Sequence, residues 1–299
     1  MSFALAQKVA DAVLYEGYVL YPDRTSAAKN QMRFQLGVVA PKAYCLGAGN
    51  GAESWEMQTE CLVEPSSHPG ADPRIDLKIR CLQLQSRTLE EATEAAGTDA
   101  LTFRPVEFLE IDGGELLVAW DEGVESELVI EDVSLLDLVR DGLHRFDFVI
   151  PAGSDVEELR SASGTLHGRL TRRRWPISVD VFLSAERLAA EGLLRLRVRI
   201  ENRTPWPKGR PAERQEALHH SLLSAHTLIA VADGRFVSLL DPPPEAARAA
   251  AECSNLRTWP VLVGDEGSGD LLLSSPILLY DHPAIAPEGQ GDLCSEATR

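Results

Sequence analysis

The chain has 299 residues, 44% hydrophobic and 25% charged, which is the balance of a folded globular protein. Its 46 acidic against 29 basic side chains leave a formal net charge of −17 at pH 7, which repels nucleic-acid phosphates and argues against a nucleic-acid partner. No run approaches the roughly 18 apolar residues that span a bilayer, and the opening MSFALAQKVADAV puts no basic stretch ahead of a long apolar core, so a cytoplasmic protein without membrane insertion is expected.

In chain order, residues 9–21 (VADAVLYEGYVLY) are apolar, rich in valine and tyrosine, and end at Pro22, which reads as a strand, although ALAQKVADAV at its start has the composition of a short helix. Residues 33–40 read as a second strand closed by Pro41. CLGAGNGAE carries Gly47, Gly49 and Gly51 without the GxGxxG spacing or a following GK[ST], so it reads as a loop and not as a phosphate cradle. Residues 55–63 and 75–84 are expected to pair antiparallel, the second with Ile75, Leu77, Ile79 and Cys81 alternating against Asp76, Lys78 and Arg80. Residues 88–96 (TLEEATEAA) read as a helix, with Thr88 as N-cap, Glu91 completing a capping box and Gly97 as the stop. Residues 106–111 and 115–120 flank Asp112-Gly113-Gly114 as a hairpin, residues 127–133 add a strand, and residues 134–140 fit either class.

Beyond Arg145 the alternation is stricter. Phe146, Phe148 and Ile150, then Ile177, Val179 and Val181, then Leu194, Leu196, Val198 and Ile200 each alternate with mostly polar or charged residues, as half-buried antiparallel strands do. Residues 202–214 form a Pro-rich crossing loop, and residues 213–220 read as one or two helical turns. In residues 227–241 (TLIAVADGRFVSLLD), two β-branched-rich runs flank Asp233-Gly234, the strongest short-range hairpin signal in the chain, ended by Pro242, Pro243 and Pro244. A helix over residues 244–251, strands over 259–263 and 271–280, and a tail after Pro283 complete the reading. The expected fold is mainly β to α+β, with antiparallel sandwich-like sheets and a few short helices. Domain-size arithmetic favours two lobes, residues 1–145 and 146–299.

Five scattered cysteines, Cys45, Cys61, Cys81, Cys253 and Cys294, contain no CxxC pair, so neither a disulfide framework nor a zinc ribbon is encoded locally. GxSxG, HExxH, a Walker loop and a dinucleotide fingerprint are all missing, and no cofactor is predicted from a motif. His219, His220 and His226 form the one dense histidine group. Six- and seven-residue spacings chelate poorly on a helix, and on a strand His220 and His226 stand roughly 20 Å apart. A site would need Asp241 or His282 brought across the sheet, and it would then hold a divalent metal for hydrolysis. His167, Arg169, Arg172, Arg173 and Arg174 are the one basic cluster in an acidic chain, a candidate docking surface for a protein partner because guanidinium forks pair well with carboxylates.

The segments LYEGYVLYP, SAAKNQMRFQLGVVAP, MQTECLVEP, SLLSAHTLIAVADGRFVSLLDPP, TWPVLVG and LLLSSPILLYDHPAIAPE extend over most of the chain. Together they resemble uncharacterised bacterial proteins encoded beside nickel-iron uptake hydrogenases. The resemblance implies an accessory or assembly role, with a hydrogenase subunit or maturation factor as partner, and supplies no fold, ligand or catalytic residue. It also implies an acidic helical continuation after GDLC, where this chain instead ends at Arg299 with Cys294 in place of an aromatic or aliphatic residue. The expected function is therefore that of a non-enzymatic accessory protein. A metal-dependent hydrolase and a small-ligand-binding β-sandwich are the alternatives.

Overall fold

The computed structural model describes residues 3–15, 36–47, 53–94, 101–111, 114–189, 192–207 and 213–283. Helix α1 (Ala4–Ala10) runs into a π-helical turn (Asp11–Tyr15), and α2 (Lys42–Gly47) follows. Strands β1 (Glu56–Pro65), β2 (Arg74–Glu94), β3 (Leu101–Val106), β4 (Phe108–Ile111), β5 (Glu115–Val118) and β6 (Trp120–Ser134) lead to α3 (Leu135–Asp141). After α3 come β7 (His144–Ile150), β8 (Gly153–Arg160), β9 (Leu166–Arg174), β10 (Ile177–Leu188) and β11 (Leu193–Asn202), then α4 (Arg214–Leu218). The described chain finishes with β12 (Leu222–Ala232), β13 (Gly234–Val237), α5 (Ala247–Ala251), β14 (Trp259–Leu262) and β15 (Leu271–Ser275). No helix among the described residues is long and apolar enough to cross a membrane.

Two antiparallel sheets face each other. One runs β13-β1-β11-β10-β7, and the other runs β14-β15-β12-β2-β9-β8 with β3 and β6 also paired to β2. The period-two residues do what their spacing demands: Ile75, Leu77, Ile79 and Cys81 of β2 meet Leu194, Leu196, Val198 and Ile200 of β11 in one fully buried core. Each sheet takes strands from both sides of residue 145, so the boundary expected there separates no sheet from another. Outside the sandwich, α1 lays Ala6, Val9 and Ala10 on Leu228 and Leu273 of the larger sheet, while α5 packs Ala249 on Leu62 and Leu193 of the smaller one. Helix α3 bridges β6 to β7 along one open side. Its N-terminus is capped by Ser134, whose Oγ accepts from the Asp137 N–H at 3.1 Å, and its end is marked by Gly142 at φ 83°.

Five sequence expectations are corrected. Residues 55–63 and 75–84 do not pair with each other: β1 pairs β11 and β13, whereas β2 belongs to the opposite sheet. Their alternation is right, but two half-buried strands facing across a core have the same pattern as two that are hydrogen-bonded. Residues 88–94 are strand, not helix, because β2 continues into ladders with β9 on one side and β3 on the other, and these contacts override a helical propensity of tenths of a kcal/mol per residue. Residues 9–15 are helical, with residues 16–21 of that expected strand outside the described residues; of 33–40, only Val39 makes bridges, and 33–35 lie outside. Finally, β12 and β13 are not a hairpin. Asp233 alone takes a positive φ, 53°, and the Asp-Gly corner passes the chain from the larger sheet to the smaller.

The far half of β2, with β8 and β9, extends beyond the sandwich, and there the two-stranded β4-β5 sheet covers it through Leu109, packed on Leu89, Leu159 and Leu170. Gly168 makes this possible: a Cβ would overlap the Glu90 carbonyl oxygen and come within 2.8 Å of Leu109 Cδ2. Gly168→Ala is therefore expected to destabilise the fold by about 2 kcal/mol, because a rigid backbone oxygen cannot yield as a side-chain tip can. Denaturant unfolding of the variant checks this, and an unchanged midpoint would show that β9 is not held so close to the Glu90 carbonyl of β2.

Candidate functional site

A cleft of about 530 Å³ opens at one end of the sandwich between the start of β1 and β14. Its floor is apolar. Val39 is clipped on one side to Leu222, by N–H to carbonyl bonds in both directions at 2.9 and 3.2 Å, while the next residue, Ala40, donates to the Ser54 carbonyl. Buried Asn202 holds the same segment by donating to the carbonyls of Val39 and His220, both at 2.8 Å. Met57 completes the floor. One wall is the Glu53–Arg214 ion pair at 2.6 Å, and the rim carries exposed Leu36 and Trp259.

The cation of this cleft is Arg257. It stands at φ 59°, the left-handed region that a non-glycine residue occupies at a cost of about 1 kcal/mol. That conformation is imposed from both sides. Leu256 exchanges two backbone hydrogen bonds with Gln58 of β1, and the Thr258 hydroxyl is tied at 2.8 Å to Ser274, which in turn meets Thr59 at 2.7 Å. Arg257 forms no ion pair among the described residues. Arg214 points its charge at Glu53, so Arg257 is the cationic group of the cleft available to a ligand.

Thiol chemistry is disfavoured here. Burial pushes Cys45 up to about 11, with Glu53 adding to the rise and Arg257 opposing it; burial likewise raises Cys253 to about 11 and Cys81 to about 12. None of these thiols is a thiolate at neutral pH.

The five residues of the expected metal group are dispersed among separate partners. His219 and His220 follow α4 in a turn, where His219 Nε2 lies 3.2 Å from Asp121 and its ring 4.6 Å from Trp175, while His220 faces Glu216 and Trp206. His226 lies inside β12, wholly buried, with Nδ1 donating to the Ser224 carbonyl at 2.8 Å. His282 donates from Nδ1 to the Gly264 carbonyl at 2.9 Å, and the exposed Asp241 is held through its N–H by the Ser238 hydroxyl. Among the described residues no group of three or more histidine, cysteine, aspartate or glutamate side chains has the geometry to hold a metal ion.

The basic cluster lies on β9, where period two splits it. His167, Arg169 and Arg173 point to one face, Arg172 and Arg174 to the other. Arg169 is bonded to Glu90, Arg172 reaches Glu157 at 2.9 Å and Asp155 at 3.3 Å, and Arg173 stacks over Trp175. Neighbouring carboxylates thus offset much of the charge that the sequence concentrates there. No family model matches the chain, and a search of curated proteins finds no similar sequence.

Sequence reasoning missed the cleft because its parts come from residues 36–39, 53–57, 214, 257–259 and 276, none of them a motif. The one local trace is Arg257 two residues before Trp259-Pro260, a cation and an aromatic at a strand start.

Proposed function

We propose that the protein acts by binding, as an accessory or assembly protein whose Arg257 cleft receives a segment of a protein partner. The observation that carries the reading is an arginine with no ion pair among the described residues, fixed in a strained backbone over an apolar floor, beside an exposed tryptophan. Arginine, tryptophan and methionine are the side chains enriched where protein interfaces concentrate their energy. The complementary segment carries a carboxylate for Arg257 and a large apolar side chain for the Val39–Met57 floor. The resemblance to proteins encoded beside nickel-iron uptake hydrogenases makes a hydrogenase subunit or maturation factor the first partner to test, in the cytoplasm.

Arg257→Glu is expected to leave stability nearly unchanged, because the side chain is exposed, and to weaken binding at least tenfold, the worth of a charged hydrogen bond. Co-purification from the native host, followed by affinity measurement with the recovered partner, checks this; equal affinity of the folded variant would remove the cleft from consideration. The cleft volume also suits a small molecule. A small apolar carboxylate is the second reading, and native mass spectrometry of the purified protein separates the two by showing added mass that Arg257→Glu loses.

A further inference from the structure

The edges of the two sheets are not equally guarded. Strand β13 is four residues long, β14 is four residues long and contains Pro260, and β3 contains Pro105. Strand β8 carries Asp155, Glu157 and Glu158, and β6 carries six carboxylates in fifteen residues, so a copy of either would repel itself. Short strands, prolines and like charges are the usual protections of an open edge. Strand β7, HRFDFVI, has none of them. It pairs only with β10 among the described residues, and its outer edge ends the five-stranded sheet.

Self-pairing across this edge has one register in which every outward side chain finds a complement. Antiparallel about Phe146, Arg145 stands opposite Asp147 of the second copy, and Leu143 stands opposite Val149. Arg145 is 54% exposed, Leu143 58% and Val149 65%; Arg145 lies 3.0 Å from the buried Asp180, a carboxylate it shares with Arg203, and Asp147 is exposed and makes no ion pair among the described residues. Directly opposed strand residues have Cβ atoms about 5 Å apart, close enough for the apolar pair to bury and for the charges to meet. Shifting the register by two residues, to centre on Asp147, would oppose Asp147 to its own copy.

The geometry points to a two-fold dimer formed by β7 against β7 of a second copy of this chain, joining two five-stranded sheets into one of ten strands. The Arg257 cleft lies where β1 meets β14, and this edge lies at the other side of the smaller sheet, so the dimer presents two clefts and stands independently of what they bind.

The test is the mass of the full chain by light scattering and sedimentation, at roughly 100 µM protein and about 0.15 M salt, which screens the net charge of −17. The expected wild-type mass is twice 32.7 kDa. Asp147→Arg, which opposes arginine to arginine, is expected to raise the dissociation constant at least tenfold with an unchanged melting temperature when monomeric. Val149→Lys, on the same exposed edge, is the second variant should the first fold poorly. The exchange Arg145→Asp with Asp147→Arg gives up the Arg145–Asp180 pair but sets the new arginine directly opposite Asp180, so it restores the complement across the edge and is expected to restore the dimer. A monomeric wild type, or an Asp147→Arg protein that dimerises as well as wild type, overturns the proposal. Dimers lost in Asp147→Arg and not regained in the exchange overturn the register.

Discussion

Acidification from pH 7 to 4 is expected to remove about 3 kcal/mol of folding stability through one side chain, His226. Its ordinary value of 6.5 is lowered to about 4 in the fold, chiefly by burial; the Ser224 carbonyl opposes this, the nearby Arg80 cation adds a lesser lowering, and Asp11 and Glu127 raise it slightly. Between those two values the unfolded chain takes up a proton that the folded chain refuses. The contribution is therefore fully present above pH 6.5 and is lost as pH falls toward 4. Glu90, Asp132 and Asp141, each lowered by a bonded arginine, also lose stabilisation in acid, below the ordinary carboxylate range. His226→Asn isolates the histidine, because the amide keeps a donor for the Ser224 carbonyl and does not titrate. Denaturant unfolding at pH 7 and 4.5 should give a smaller loss in the variant, by about 2 kcal/mol. Equal losses would show that His226 protonates inside the fold without penalty.

The same histidine shows what was legible in the sequence. Period two located the core faces of β2, β7, β10 and β11 correctly, because alternation is a property of each strand alone. Pairing is not. The Asp233-Gly234 corner has the local chemistry of a hairpin, yet β12 is buried on both faces over residues 222–231, which commits it to a sheet interior with β2 and β15 and leaves no edge for β13. His226 within that run read as a candidate ligand, whereas its partner is a backbone carbonyl two residues away. The arginines of β9 were visible as charge, but neither their division between two faces nor Glu90, Asp155 and Glu157, from two other strands, was encoded near them. Around Arg257 the sequence carries only the spacing of a cation to Trp259, because the contacts that fix its strained backbone come from Gln58 and Ser274, far away or beyond it in the chain.

Arg80→Ala is expected to cost about 3 kcal/mol or more, at the low end of what breaking a buried ion group costs, because its carboxylates remain partly in water. Arg80 is 1% exposed on the outer face of the larger sheet, and its guanidinium donates to Asp11 at 2.7 Å, Glu125 at 3.1 Å and Glu127 at 3.1 Å. Removing it leaves three carboxylates together with Lys78, 3.0 Å from Glu127, as a remaining cation. Asp11 begins the π-helical turn after α1, so the variant should also loosen residues 4–15, read as faster amide exchange there than in the sheet. Arg80→Met separates the charge from the packing: a methionine fills much of the space without stranding a cation, and the comparison with Arg80→Ala gives the worth of the stem. Both variants test the acid prediction as well. Arg80 is one of the groups that lower His226, so its removal raises the folded value toward 6.5, narrows the window and shrinks the loss between pH 7 and 4. An Arg80→Met protein with the full wild-type acid loss would leave burial alone as the cause of the histidine's low value.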